Sequence, residues 1–309
     1  MDNIQKLFAS IEILPPSPSL LPKLLPAMAD VNSNFDEVVD MISLDPALTA
    51  KLLQICNSAF FGPVDPVMDV REAVNQVGYQ AVYLLVSMIN GGECFQVPEV
   101  PGVDGKQLWK HSVIAGHAAK FIAESAGLEA GMLFTAGLLH DIGKVVLARA
   151  YGKDYGLMLL RAAQAGTPAF QSEITAFQFS HAEVGACLME RWKLPAPLVA
   201  GVRFHHHPVF APTEKLRRIA ACVSLSDLIA HGQDRPLVIN DLPFTSALDL
   251  LGLESWEVDG WQSRLGDCQS LIEMMSHAVT ATPHVKTDQP CLTVLPEDVS
   301  FAGARRQWF

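Results

Sequence analysis

Apolar residues recur along this chain at spacings of three and four. That is the period of a helix with one buried face, not the two-residue alternation of a half-buried strand. Leu48, Leu52, Ile55 and Ala59 form one such stripe, and Leu216, Ala220, Val223, Asp227 and Ala230 form another. Glycine or proline falls between most of the runs and ends them. The expected fold class is therefore all-α. Helices are expected over about 107–126, 130–150, 153–166, 181–193, 197–206 and 213–231, with further helical pattern over 240–280.

A chain of 309 residues exceeds a usual single core, so two packed units are expected. Residues 1–95 form the first, a helical unit. It starts with Leu14–Pro26, where five prolines among leucines favour an extended entry and then a short helix. Asn34 with Glu37, and Asp69 with Glu72, have the spacing of capping boxes, while Asp45-Pro46 opens a helix between them. Gly78 interrupts the next, before a run through Val82, Leu85, Val86 and Ile89. Residues 96–106, beside Gly91 and Gly92 and containing Pro98, Pro101, Gly102 and Gly105, have the composition of a linker. A second core is expected over 107–235, a helical extension over 236–282, and a loosely held tail over 283–309.

With 50% hydrophobic and 18% charged residues the chain can bury a core. A net charge of -11 opposes a phosphate backbone, and only Lys215, Arg217, Arg218 and Arg305, Arg306 cluster basic charge, so nucleic acid is not an expected partner. Six scattered cysteines without a CxxC pair read as reduced core residues. The first residues lack a basic stretch leading into an apolar one, and runs such as Ala81–Val86 fall short of the ~18 residues of a membrane span. The expected location is the cytoplasm.

Ten histidines carry the functional question. On the 107–126 helix, His111 shares a stripe with Leu108, Ala115, Ala118 and Ile122 and points inward, whereas His117 lies off it and reads as a surface or packing residue. GLLHDIGK sets His140 and Asp141 directly after an apolar run, with Lys144 one turn on. Ser180 and Glu183 cap a helix whose first turn holds His181. RFHHHP ends a helix with His205, His206 and His207, where the helix dipole alone would favour them. Asp227 lies on a buried stripe, where a carboxylate requires a cation.

Two readings follow. One is a buried His-Asp network that ties the helices together. The other is a centre for one or two divalent ions (Fe, Mn, Zn or Ni), in which Asp141 is shared and Lys144 stabilises developing negative charge.

LLHDIGK resembles the signature of the HD superfamily of metal-dependent phosphohydrolases. More specifically, LPPSPSLLPKLL, SLDPALTAKLLQICNSAFFG, EAVNQVGYQAV, LWKHS, HAEVGACLMERWKLP and RFHHHP resemble, in that order and over about residues 8–235, the HDOD domain of bacterial regulatory proteins. The resemblance implies a helical N-terminal subdomain packed on an HD-like helical bundle. It also implies a metal-ligand set of His111, His140, Asp141, His181, His205, His206 and Asp227. HDOD domains are regarded as regulatory modules, which implies a signalling protein that binds a regulatory partner or a small nucleotide-like ligand. The alternative is a phosphohydrolase of the HD superfamily, with Asp141 and Lys144 as its catalytic residues. HHHPVFAPTEK stands where phosphodiesterases of cyclic di-GMP have Gly-Tyr-Pro, so that substrate is not implied, and His207 stands where the family often has an acidic residue. Asn57, Phe60 and Phe61 are a candidate docking surface, set against a cap and core role.

Overall fold

In the computed structural model, residues 3–11, 35–44, 46–58, 61–63, 67–232 and 241–278 are described. The Leu14–Pro26 segment, the Asn34 cap, Phe60 and the tail from Pro283 lie outside them. Among the described residues every regular element is helical, and the one pairing of extended backbone is an isolated bridge between Val100 and Val103.

Among the described residues five helices come first: α1 (Asn3–Ser10), α2 (Phe35–Ser43), α3 (Pro46–Cys56), α4 (Val70–Val77) and α5 (Tyr79–Cys94). The Asp69 carboxylate accepts from the Glu72 amide, and Glu72 accepts from that of Met68, so the expected cap of α4 is present. Gly78, at φ 90°, makes the break before α5 in a conformation that favours glycine. Asn57 pairs twice with the Val67 backbone, at 2.8 Å each way, and so pins the loop between α3 and α4. That bonding gives Asn57 a structural role at the end of α3.

The remaining helices enclose the histidines. They are α6 (Gly105–Ala126), α7 (Ala130–Leu139), α8 (Ile142–Ala165), α9 (Ala169–Phe177), α10 (His181–Arg191), α11 (Ala196–Arg203) and α12 (Glu214–His231), followed by α13 (Leu242–Leu251), α14 (Glu257–Asp267) and α15 (Gln269–Ala278). α6 packs along α7 and α12, α8 along α10, and α11 lies between α10 and α12. One continuous apolar core runs from Ile4 to Ile272. Arg191 of α10 lies over the Phe8 ring of α1, 4.5 Å from its centroid, and Trp109 of α6 packs on Phe95.

Ala130–Ala165 is long and apolar enough to span a membrane by length and composition, which corrects the expectation from run length. It is mostly buried in the bundle, broken at His140-Asp141 and kinked at Gly152, so it is the pair of core helices α7 and α8.

Candidate metal centre

The break between α7 and α8 departs from the single helix expected through residue 150. Neighbouring residues on a continuous helix point about 100° apart, whereas here His140 closes one helix and Asp141 precedes the next, and both side chains turn to the same place. Asp141 occupies an N-cap position without using its carboxylate as a cap, which leaves both oxygens to the site. Glycines set the helix separations. A Cβ on Gly137 would lie 2.7 Å from the Ala115 carbonyl oxygen of α6, and one on Gly143 would lie 1.9 Å from the His181 carbonyl oxygen. Only glycine permits those approaches, and they bring His140 to His111 and Asp141 to His181.

All seven residues of the expected ligand set converge. His111 Nε2 lies 3.0 Å from Asp227 Oδ1 and 3.3 Å from His140 Nε2. His140 Nε2 is 3.4 Å from both Asp141 Oδ2 and Asp227 Oδ1. The other oxygen of Asp141, Oδ1, is 3.2 Å from His181 Nε2, which in turn is 2.9 Å from His206 Nε2. His205 sits between the two groups, its ring 3.9 Å from that of His206 and 5.2 Å from that of His140. Asp141 therefore faces one group with each oxygen. The Lys144 ammonium is 2.6 Å from Asp141 Oδ2.

Tautomers follow from the bonds behind the rings. His140 Nδ1 is 2.7 Å from the Gly137 carbonyl, His205 Nδ1 is 2.7 Å from that of Val202, and His181 Nδ1 is 2.7 Å from Glu173 Oε2. Carbonyl and carboxylate oxygens only accept, so each Nδ1 carries the proton, and a neutral ring presents the lone pair of Nε2 inward. His205 Nε2 is buried and has no hydrogen-bond partner. Ring nitrogens that approach one another at about 3 Å, beside an orphaned buried nitrogen, suit a shared cation, whether proton or metal ion. The residues present thus fit a divalent ion.

Neighbouring charge and burial set the protonation of these groups. Burial disfavours an imidazolium at His140, but Asp141 and then Asp227 outweigh it and push its pKa up to about 10. His181 is raised too, burial being overcome by Glu173. Burial alone would raise Asp141, yet His140 and Lys144 hold it well below the carboxylate range, and His111 and His140 do the same for Asp227. Burial, with His140 and His181 as charged neighbours, pulls His205 down to about 3. His206 is lowered by burial, His205 and His181. Those two rings stay neutral, as ligands must be.

Other histidines and arginines near the motifs lie outside the cluster. His117 is buried, with Nδ1 2.9 Å from the Val113 carbonyl and its ring edge-on to Phe134, so its role is packing and not surface. Helix α6 is buried around most of its girth, and so position off the stripe does not expose it. His207 is exposed and meets Phe170 and Phe210 rather than the cluster. Arg149 donates to the Gln96 carbonyl, and Arg203 pairs with Glu190 at 2.7 Å.

Two residues escaped the sequence reading. Glu173, fully buried on α9, accepts from the His181 amide and ring, each at 2.7 Å, and from the Tyr155 hydroxyl at 2.7 Å. His231, one turn after Asp227, lies 3.4 Å from Asp227 Oδ1. The signal for α9 was present in Pro168 followed by Phe170, Ile174 and Phe177 at spacings of 4 and 3. The Asp227–His231 spacing of 4 was equally available.

The sequence profile of the HDOD domain matches residues 14–208. An uncharacterized protein of Treponema pallidum is 33% identical over 235 residues, which cover 75% of this chain and 45% of that protein, so the chain spans less than half of that relative. Ribonuclease Y of Thermus thermophilus is 31% identical over 122 residues, 40% of this chain and 17% of the enzyme. An HDOD domain protein of unknown function from Geobacter sulfurreducens has a similar structure, with a TM-score of 0.72, 23% identity, and coverage of 90% of this chain and 96% of that one. A Shewanella amazonensis protein named as a candidate phosphohydrolase gives a TM-score of 0.67 at 24% identity, covering 90% and 97%. A Marinobacter aquaeolei protein named as a candidate signal-transduction protein gives 0.73 at 20%, covering 89% and 65%. At these identities the structures establish a shared helical fold.

Proposed function

This chain belongs to the HDOD family, and we propose that it is a signalling module built around a divalent-metal centre, which binds a regulatory protein or a small nucleotide-like ligand. The observation that carries the metal is His205 Nε2, buried and unpartnered among inward-facing imidazoles. His111, His140, Asp141 and Asp227 would hold one ion, and Asp141, His181, His205 and His206 a second. Imidazole and carboxylate donors suit Fe, Mn, Zn or Ni.

The disposition of positive charge favours a binding module over an enzyme. A phosphoester hydrolase needs several cationic donors for the substrate phosphate, and Arg149 and Arg203 are engaged elsewhere. Lys144 remains, held on Asp141.

The second reading is a metal-dependent phosphohydrolase, supported by the sharing of Asp141 between two histidine groups and by Lys144 beside it. A divalent ion supplies Lewis acidity toward a phosphoryl oxygen and a coordinated water. In that reading Asp141 and Lys144 orient and neutralise the substrate.

The test is metal content by elemental mass spectrometry, on protein purified without chelator or histidine tag, beside His140→Ala and Asp227→Ala variants. Near-stoichiometric metal in the wild type, lost from both folded variants, supports the centre, and absence of metal after reconstitution overturns it. A phosphoester screen with Mn, Fe, Ni, Co and Mg, against an Asp141→Asn control, then separates the two readings.

A further inference from the structure

We infer that His231 is an additional ligand of the ion held by His111, His140, Asp141 and Asp227, and that it closes the solvent-facing side of that ion. The inference rests on the metal-centre reading above. His231 is the last residue of α12 and lies one turn beyond Asp227, on the same face of the helix. Its Nε2 is 3.4 Å from Asp227 Oδ1, and its ring lies 4.5 Å from that of His111, tilted by 40°. One ligand atom each from His111, Asp227 and His231 fits within 4.8 Å of the others, the spread that a shared ion requires.

A histidine at a helix C-terminus is often explained by the helix dipole alone, but that leaves its ring free to point into solvent. This ring instead covers His111 and Asp227, the two members of the group with the greater exposure. Their side chains are 12% exposed, against 0% for His140 and 2% for Asp141. His231 itself is 39% exposed and forms the outer wall.

Coordination number gives the wall its consequence. Four protein donors leave an octahedral ion two positions for water or a phosphoryl oxygen, and a fifth leaves one. His231 therefore limits access at this ion, and favours a centre that binds over one that turns over. It also ties the end of α12 to the metal, so occupancy of the centre is felt where the helix stops.

The probe is Co(II) titrated into the full chain, read by visible absorption and by equilibrium competition with a chelator. His231→Ala and His231→Gln are compared with wild type. Both variants are expected to bind one Co(II) about tenfold or more weakly, to show altered d–d bands, and to leave the second ion unchanged. Added imidazole, entering from the exposed side, is expected to restore the wild-type bands in His231→Ala, which a packing role would not allow. If both variants keep wild-type affinity and spectrum while the wild type binds Co(II), the inference fails and the metal centre stands. If the wild type binds no Co(II), both fail. A thermal melt by circular dichroism, coincident with wild type, assigns the change to ligation rather than unfolding.

Discussion

The two histidine groups that meet at Asp141 are made differently. The His111 side is carboxylate-rich, with Asp141 Oδ2 and Asp227 Oδ1 against two imidazoles, and part of it reaches solvent through His111, Asp227 and His231. The His181 side is imidazole-rich, its His181 and His205 are almost wholly buried, and its charge is set from behind by Glu173. His206 is the exception, partly exposed and stacked on Phe170 at 4.3 Å. One side thus has two carboxylates facing it, whereas the other shares only Asp141 Oδ1 and has its further carboxylate behind His181. Ligand identity alone therefore does not describe a site of this kind, since Glu173 fixes both the tautomer and the basicity of His181.

Asp141→Asn should have the largest effect, because it removes the one group common to both sides. Elemental analysis is expected to fall from the wild-type content to background. Retention of one ion would show that the sides are independent.

Glu173→Ala should separate them. It strips His181 of its acceptor and leaves the Tyr155 hydroxyl buried without one, a cost of about 1–3 kcal/mol in stability by denaturant melt. Metal affinity should fall about 10–100-fold at the His181 side and hold at the other. Equal losses on both sides would erase the contrast.

Gly143→Ala tests the approach of α8 to α10. With a Cβ placed 1.9 Å from the His181 carbonyl, the helices must separate. A loss of about 1–3 kcal/mol is expected, with weaker binding mainly where His181 contributes. A variant with wild-type stability and metal content would show that the separation is not set by this glycine.

His117→Phe should have the smallest effect and serves as the control. His117 is buried outside the cluster and its pKa is pulled down to about 4 by burial. An unfolded histidine titrates near about 6.5, so the unfolded chain takes up the proton first, and this residue costs stability as pH falls from that value toward 4. Replacement should cost under about 1.5 kcal/mol at neutral pH through the lost Val113 bond, leave metal content intact, and weaken the acid-induced loss of stability. Loss of metal in this variant would put His117 in the site.

The helical class, most helix limits and the seven converging residues were legible in the sequence. The three-and-four period and the caps are local, and the His-Asp pair and the inward faces of His111 and Asp227 can be read from single helices. Glu173 was not legible, because a glutamate on an unrecognised nine-residue helix looks like any exposed carboxylate until Tyr155 and His181 surround it. His117 was left open between surface and packing for the related reason that burial of α6 comes from neighbours on several sides, and packing is what the structure shows.

Periodicity and residue type by themselves determined most of the helices, and the order of the motifs determined the family. Tertiary structure decided which nitrogen of each histidine faces inward, which oxygen of Asp141 serves which group, and that Arg149 and Arg203 are bound elsewhere. The physical reason is one of range. Helix formation and capping act over a few residues, whereas tautomer, burial and charge depend on groups far apart in sequence, 116 positions in the case of His111 and Asp227.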